Sequence, residues 1–429
     1  MSRLLNHIFI KEYCEHCEIP IPRIDIEYSL QRKVIAFQNN SDYPCISITE
    51  ENDKYNLKSG YFVGVDWISE ELAIYIPPKL DKQNPPTDYL AMFFSCFRHP
   101  EIYEYTDDLY EIKFDEPHIE IEQQQDMLTP LLMMQFLMIL KSLVRNGLKK
   151  SYYQVEANLN ARVQGKILIS RNVKNNIVKN KLNRTVCRFE EFGFNNLENK
   201  LLKSTLIFAQ RYLKAFPEVS KYADNLIHYC SPAFDQVDDV VDIRKIKVLK
   251  QKGFYKDYEK ALDLAIIIFK RFGYNITNIE NQSSKKVSVP PFWINMPKLF
   301  ELHVFALLKD KFGKSILFQR KGSGGQTPDF LLVDGDEKFI LDAKYKPYYS
   351  VATNKDDIWQ LSGYARDKKL LDKLGYSYEE MENAVVNCVI IYVNQSAPAT
   401  LPDNLTEVPI NNFTKFYKIG ISIPIQKIN

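Results

Sequence analysis

Thr327-Pro328-Asp329 is followed, twelve residues on, by Asp342-Ala343-Lys344. Two acids and a lysine that converge would hold a hard cation beside a negatively charged ligand. Whether they converge follows from the turn between them. Phe330 to Val333 and Lys338 to Leu341 are strand-like, and Gly335-Asp336 suits a two-residue hairpin loop with glycine at the first central position. That loop sets Asp334 across from Glu337. Counting back along both strands places Asp329 opposite Asp342, and the two-residue alternation of side chains puts Lys344 on the same face as Asp342. Carboxylates about 5 Å apart at an effective dielectric of about 20 repel by about 3 kcal/mol when both are ionised. A divalent cation turns that repulsion into binding, since Mg2+ takes oxygen ligands and is commonly held by one or two carboxylates. Asp-x-Lys alone says little. With 54 acidic and 56 basic residues in 429 the triplet recurs by chance, and a hairpin face also carries such charges for solubility.

The hairpin needs neighbours to make a site of it. Upstream, residues 296–312 read as a helix, with Asn295 as N-cap, Pro297 in the first turn and Gly313 closing it. Glu301 shares a stripe with Phe305, Leu308 and Phe312, so its carboxylate projects from an apolar face. A buried acid needs a partner, which a cation site would supply; an acid at the wet edge of the stripe would not. Downstream, Asp357, Gln360 and Tyr364 fall at i, i+3 and i+7 and line one helix face. The amide and phenol could orient the lysine, a metal-bound water or a phosphate. Equally, they fit a surface amide and a half-buried aromatic.

The order helix with Glu301, strand with Asp329, strand with Asp342 and Lys344, helix with Gln360 and Tyr364 resembles the PD-(D/E)xK nuclease superfamily over roughly residues 290–429. Gln-x-x-x-Tyr is similar to its RecB-type branch. The resemblance implies a mixed sheet flanked by helices, with residues 384–393 and 417–425 supplying further strands. It also implies Mg2+-dependent hydrolysis of DNA phosphodiester bonds. Asp329 and Asp342, with Glu301 in direct or water-mediated contact, would hold the metal, which polarises a phosphodiester oxygen and activates a water for in-line attack. Lys344 would position that water or offset the charge developing at phosphorus, with Gln360 and Tyr364 completing the catalytic set.

Residues 157–189 contain no acid but eight bases: Arg162, Lys166, Arg171, Lys174, Lys179, Lys181, Arg184 and Arg188. Interleaved with asparagines, they could track a phosphate backbone with salt-dependent affinity. A solvated basic face or a dock for an acidic partner has the same composition. Around them, Asn160-Ala161-Arg162-Val163-Gln164-Gly165-Lys166-Ile167, Cys187-Arg188-Phe189-Glu190-Glu191-Phe192 and Glu198-Asn199-Lys200-Leu201-Leu202-Lys203, together with Ile294-Asn295-Met296-Pro297-Lys298-Leu299-Phe300-Glu301, are similar to the centre of the McrC family over about residues 152–365. That resemblance implies the endonuclease subunit of an McrBC-type, modification-dependent (type IV) restriction system, a phage-defence activity. Its partners would be DNA, whose modified bases are read by the other subunit, and an McrB-like AAA+ GTPase hexamer that it engages and stimulates. Cutting both strands would take a second copy of the chain. The first 120 residues, where the family contacts its motor ring, carry no match, so no residue is assigned to that contact, and the modification recognised is not inherited. A RecB-like exonuclease acting on DNA ends and a nuclease-fold adaptor that mainly activates an NTPase are the alternatives.

Composition bounds the rest. Apolar content of 45% and charged content of 26% belong to a soluble globular protein, and a net charge of +2 leaves any nucleic-acid contact to local clustering. The expectation is a multi-domain α+β chain. Residues 1–125 would form a β-rich domain in contact with the motor, residues 126–285 a mostly helical middle region, and residues 286–429 the C-terminal α/β nuclease domain. Alternating runs at 61–67 and 72–76 support the first, and apolar helical runs at 127–144, 197–216 and 258–272 the second. Residues 281–291, polar and ending in Pro-Pro, read as a linker. Seven scattered cysteines indicate a reducing compartment. Cys14-Glu15-His16-Cys17 has zinc-like spacing but no second pair, unless Cys45 or Cys96 with His99 completes it in space. The first ten residues lack a signal-peptide core, and the apolar run 131–140, interrupted by Gln135, is too short to span a bilayer, so a cytoplasmic protein with no membrane partner is expected. Gly313-Lys314-Ser315 ends like a phosphate-binding loop, but Leu308 stands where that loop needs glycine. Energy, if required, would come from another subunit.

Overall fold

The computed structural model describes residues 6–9, 14–18, 34–40, 42–51, 54–68, 72–78, 80, 85–96, 99–106, 108–122, 125–239, 256–272, 286–347 and 355–425. Its contacts divide the chain into two units where the sequence suggests three: residues 1–128 with 286–429, and residues 129–285.

The start of the first unit is β-rich, as its alternating pattern suggests. Strands β1 (Asn6–Phe9), β2 (Cys14–Glu18), β3 (Val34–Ala36), β4 (Pro44–Glu51), β5 (Lys54–Ser59), β6 (Phe62–Trp67) and β7 (Leu72–Ile76) precede helix α1 (Tyr89–Cys96), β8 (Tyr110–Ile112) and β9 (Ile119–Glu122). β2, β5, β4 and β3 make an antiparallel sheet in that order. Its inward side chains, among them Ile46, Ile48 and Leu57, join Phe37, Phe62 and Ile74 in one core. Cys14 and Cys17 lie on β2, but their side chains fall outside the described residues. Cys45 and Cys96 are buried and in no disulfide, and His99 pairs with Asp310 at 2.8 Å.

The described residues of the second unit are mostly helical, with one small sheet. α2 (Leu128–Asn146) is followed by β10 (Ser151–Asn160), β11 (Lys166–Ile167), α3 (Ile169–Asn172) and β12 (Arg184–Gly193), then by α4 (Leu197–Tyr212), α5 (Pro217–Cys230) and α6 (Lys256–Arg271). The basic segment thus folds as a sheet of order β10-β12-β11. The physical reason is period-two burial: Val155, Ala157 and Leu159 alternate with exposed neighbours and meet Cys187 and Phe189 from β12. α2 agrees with the helical run expected at 127–144 and extends beyond the ten-residue apolar stretch within it. By length and composition alone it could cross a membrane, yet 72% of its apolar window is buried inside the protein, as in a core helix. Asn196 caps α4 by accepting from Asn199 N–H. Asn199 in turn donates to the Lys149 and Phe194 carbonyls and accepts from Tyr258 OH, so the Glu198-Asn199 motif is a structural knot at the root of β10.

The chain then returns to the first unit. Residues 281–285 lie outside the described residues. Residues 286–289 are not a linker but strand β13 (Lys286–Val289), paired with β9. β14 (Phe292–Asn295) completes a five-stranded sheet of order β1-β7-β6-β14-β8 and runs without a break into α7 (Met296–Phe312). This continuity is why residues 286–429 do not stand apart from the N-terminal part. Asn295 ends β14 and caps α7 by accepting from Lys298 N–H, with Pro297 in the first turn. α7 is buried nearly all round because it packs between α1 and the second sheet. That sheet comprises β15 (Ile316–Phe318), β16 (Phe330–Asp334), β17 (Glu337–Lys344), β18 (Asn387–Val393) and β19 (Phe416–Ile421), in chain order. Its first two pairings are antiparallel and its last two parallel. α8 (Lys355–Tyr364), α9 (Lys368–Lys373) and α10 (Tyr378–Met381) lie between β17 and β18 in sequence, and α8 packs on β17. The molecule is mixed α and β with several sheets, as expected.

One buried carboxylate ties β6, β8 and β14 together. Asp66 is 1% exposed; it accepts from Trp293 Nε1 at 2.8 Å and Lys113 Nζ at 2.7 Å through Oδ2, and from Trp67 N–H at 2.8 Å through Oδ1. Asp66→Ala leaves a buried indole and a half-buried ammonium without their acceptor. We expect a loss of about 3–5 kcal/mol in folding stability, read from urea denaturation followed by tryptophan fluorescence; a loss below about 1 kcal/mol would refute this role.

Candidate active site

The hairpin has the register its turn requires. Asp334 pairs with Glu337 and Phe330 with Leu341, and Gly335 takes the left-handed φ of 60° that opens the loop. Asp329, one residue before β16, therefore stands beside Asp342. Its Oδ2 accepts from Ala343 N–H at 2.7 Å, a backbone bond that fixes the side chain as well as the strand. On the other flank, Asp342 pairs with the fully buried Ile390 of β18. The carboxylate of Asp342 is thus walled by apolar sheet, with 2% of the residue exposed.

Lys344 returns to the same face and lies 2.5 Å from Asp342 Oδ2. That oxygen has no hydrogen-bond partner of good geometry, so the contact is best described as an ion pair with acceptor capacity to spare. Lys344 Nζ also donates to Gln360 Oε1 at 3.1 Å, and Gln360 Nε2 donates to Tyr364 OH at 2.7 Å. Tyr364 OH in turn faces the Thr327 carbonyl at 3.4 Å. Of the roles open to the amide and phenol in sequence, the one seen here is orienting the lysine. Asp357, on the same face of α8, is 3.8 Å from Lys344 and 2.9 Å from Lys346.

α7 supplies the third acid. Glu301 is half-buried and accepts from Gln319 Nε2 at 2.7 Å and Lys298 Nζ at 3.2 Å. Gln319 sits at φ 43°, and its N–H donates to the Asp329 carbonyl at 2.9 Å, joining the Glu301 contact to the PD segment. The sequence reading assigns no role to Gln319, and none to Lys298 beyond its place in a family motif. Lys298 was findable, three residues before Glu301 on the same helical face; Gln319 carried no local signal.

The loop leading to Thr327 is pinned from one point. Asp367 accepts from Ser323 N–H at 2.8 Å, from Gln326 Nε2 at 2.8 Å and from the N–H groups of Lys369 and Leu370. Burial works against its charge, but these donors outweigh it and hold the carboxyl below the usual carboxylate range.

The electrostatics follow from crowding. Burial pushes up the carboxyls of Glu301, Asp329 and Asp342. For Asp329, the charges of Asp342 and Glu301 push further, and it rises well above its ordinary value. Burial opposes the charge on Lys344, but Asp342 and Asp329 overcome it and raise the ammonium pKa. Tyr364 is raised, first by burial. The acids and the lysine open onto a cleft of about 720 Å³. Among the described residues no three His, Cys, Asp or Glu side chains form a ready-made metal cage. The donor set nevertheless suits a hard divalent ion: crowded, desolvated oxygens with raised proton affinity and one with no well-formed hydrogen bond, opening to a cleft. With Lys344 against Asp342, the site is balanced by an ammonium.

The structure brings Asp329, Asp342, Lys344, Glu301, Gln360 and Tyr364 together. The eight bases lie in the other unit. Arg162, Lys166, Lys174, Lys179, Lys181 and Arg184 are exposed, whereas Arg171 and Arg188 are drawn onto Glu156. The row of eight free charges expected from composition is therefore reduced to six, because β10 carries an acid across from β12.

A family model described as "McrBC 5-methylcytosine restriction system component" matches residues 57–373. Two solved structures from Thermococcus gammatolerans are similar. One is a half-complex from a tetradecameric assembly of McrB AAA+ hexamers with bound McrC, 17% identical, with a TM-score of 0.43 and coverage of 97% of this chain and 94% of that chain. The other is the McrBC complex determined by cryo-electron microscopy, 17% identical, with a TM-score of 0.32 and coverage of 71% and 87%. No curated protein matches.

The raised carboxyl of Asp329 has a signature in divalent-free buffer. Between the ordinary aspartate value of about 3.9 and the raised one, the folded state holds a proton that the unfolded state has released, so stability falls as pH rises through that window. Asp329→Asn can keep the bond from Ala343 N–H but cannot ionise. The variant should be the more stable at neutral pH, with the gap closing near pH 4. A variant equally or less stable at pH 7.5 by urea denaturation would contradict the assignment.

Proposed function

This chain belongs to the McrBC 5-methylcytosine restriction system component family, and from that premise we infer that it is the endonuclease subunit of a modification-dependent restriction complex, hydrolysing DNA phosphodiester bonds with Mg2+. The observation that carries this reading is the meeting of Asp329, Asp342, Lys344 and Glu301 at one cleft. Four residues from three separated stretches of sequence converge there, with an arrangement similar to that of PD-(D/E)xK nucleases.

Asp329, Asp342 and Glu301 would hold Mg2+. The ion, when bound, supplies positive charge against the phosphodiester and lowers the pKa of water for attack on phosphorus. The Ala343 N–H keeps Asp329 aimed, and Gln319 and Lys298 do the same for Glu301. Lys344 stays cationic at working pH because the neighbouring carboxylates raise its pKa. Gln360 Oε1 accepts from one of its N–H groups and Asp342 pairs with the ammonium, which orients it to meet an anionic oxygen as charge builds. Tyr364 holds Gln360 in that orientation.

A component implies other parts. We propose that DNA and an McrB-like AAA+ GTPase hexamer are its partners, with modified bases read by the motor and a second copy of the chain needed for a double-strand cut. Residues 313–315 support the need for an outside motor. They form a single 3-10 turn after the C-terminus of α7, an end whose dipole disfavours phosphate. Retention of both acids and the lysine weighs against a purely adaptor role.

The test mixes the chain, its AAA+ partner, GTP, Mg2+ and closed circular DNA, methylated or not. Linearisation of the methylated circle is expected only with motor and nucleotide, which separates this reading from an exonuclease acting on ends. Asp342→Ala and Lys344→Ala should each lower cleavage by about 10²-fold or more while still stimulating the GTPase. Mg2+ should raise the melting midpoint of the parent and not that of Asp342→Ala. Full cleavage by either variant would sink the proposal.

A further inference from the structure

The cleft has a second wall, built from the N-terminal part of the same unit. Gln38, Asn40, Asp42 and Tyr43 line it together with Asp329 and Lys344. The turn that carries them is tightly determined. Phe37 N–H donates to the Tyr43 carbonyl at 3.0 Å, Tyr43 N–H to the Asn40 carbonyl at 3.0 Å, and Asp42 N–H to Asn40 Oδ1 at 3.1 Å. Gln38 is held at φ 50°, its N–H bonded to Glu111 Oε2 at 2.8 Å. A non-glycine residue in that region is uncommon and persists where its surroundings over-determine it. Phe37 stacks on Phe62 with centroids 5.0 Å apart. Behind the turn, a Cβ on Gly60 would strike the Pro44 carbonyl, so β4 and β6 leave no slack. Tyr61, next to that glycine, meets Tyr345 edge to face at 5.9 Å, and Tyr345 follows Lys344 directly. The wall is thus registered against the acidic hairpin.

Tyr43 is 56% exposed. The charges of the two walls are unequal. Lys344 and Lys298 lie on the hairpin and α7 side beside Asp329, Asp342 and Glu301, the acids that would hold the metal, whereas the turn offers two amides, one carboxylate and an aromatic ring and no cation. An aspartate among neutral groups repels phosphate, so the turn suits the other end of a nucleotide. The cleft of about 720 Å³ has room for a nucleotide beside the acids.

We propose that Tyr43 is a stacking platform for the base adjoining the scissile phosphate, received in a locally unstacked strand whose phosphate lies toward Lys344. The proposal rests on the nuclease reading above. Base–aromatic stacking tolerates any sequence and is lost on truncation to alanine by about tenfold or more in binding. It would make strand distortion, rather than base identity, the condition for entry.

Two measurements test it with the full chain. The first is steady-state cleavage of methylated DNA with the AAA+ partner and GTP. Tyr43→Ala should raise KM for DNA about tenfold with little change in kcat, and Tyr43→Phe, which keeps the ring, should behave like the parent. The second is fluorescence of a single-stranded oligonucleotide containing 2-aminopurine, with Ca2+ in place of Mg2+. The parent and Tyr43→Phe should quench it, and Tyr43→Ala should not. Tyr43→Ser serves as a second truncation should the alanine variant fold poorly. Parental KM and quenching in the truncated variants, or a phenylalanine variant as impaired as alanine, would overturn the platform. Parental cleavage by Asp342→Ala would instead overturn the nuclease reading, whatever the quenching shows.

Discussion

Asp329 and Asp342 are held against each other at the edge of an apolar sheet, and much of the first unit exists to make that position tolerable. Alone, each acid would avoid the other by moving into water. Here Ala343 N–H fixes one and the β17–β18 pairing walls in the other. Lys344 balances their charge, and Gln360, Tyr364 and the Thr327 carbonyl stop the lysine from swinging away. Such a cluster is unfavourable without a counter-charge and receptive to one, which is the physical content of a cation site.

α7 is the second requirement. It brings Glu301 to the same place, and its position is set at both ends of a chain of constraints: β14 is locked between β6 and β8, and Asn295 turns the strand directly into the helix. Asp66, through Trp293, Trp67 and Lys113, supports the sheet from which the helix departs. On the far side, Asp367 gathers the glycine-rich loop that delivers Thr327 and Asp329. The acids are therefore positioned from the N-terminal sheet, from the loop and from the hairpin together.

What could be read from sequence was local. A two-residue loop dictates hairpin register, so the meeting of Asp329, Asp342 and Lys344 was legible from spacing, and the bounds of α7 were legible from Asn295, Pro297 and Gly313. Gln360 and Tyr364 were legible as a helix face, though not what they would hold. Long-range pairings were not. Residues 286–289 looked like a linker because polar residues ending in Pro-Pro resemble one, but a strand partner at residues 119–122 decides otherwise. The basic segment carries no secondary-structure signal of its own because its charges mask a period-two apolar pattern that is clear only beside β12. Tyr43 and Gln38 gave no signal at all, since nothing in residues 37–44 announces which cleft they will face.

The pairing of β9 with β13 has a genetic consequence. Glu122 sits opposite Lys286, so the two points where the chain leaves and re-enters the first unit are neighbours in one ladder. The intervening stretch is inserted like a cassette: a gene could lengthen, shorten or exchange it between those two seams without altering either flanking strand. A single crossover near codon 286 would instead set β13 and β14 of one parent against β9, β6 and β8 of another. Inheritance should therefore treat the flanks as one locus and the middle as a replaceable part.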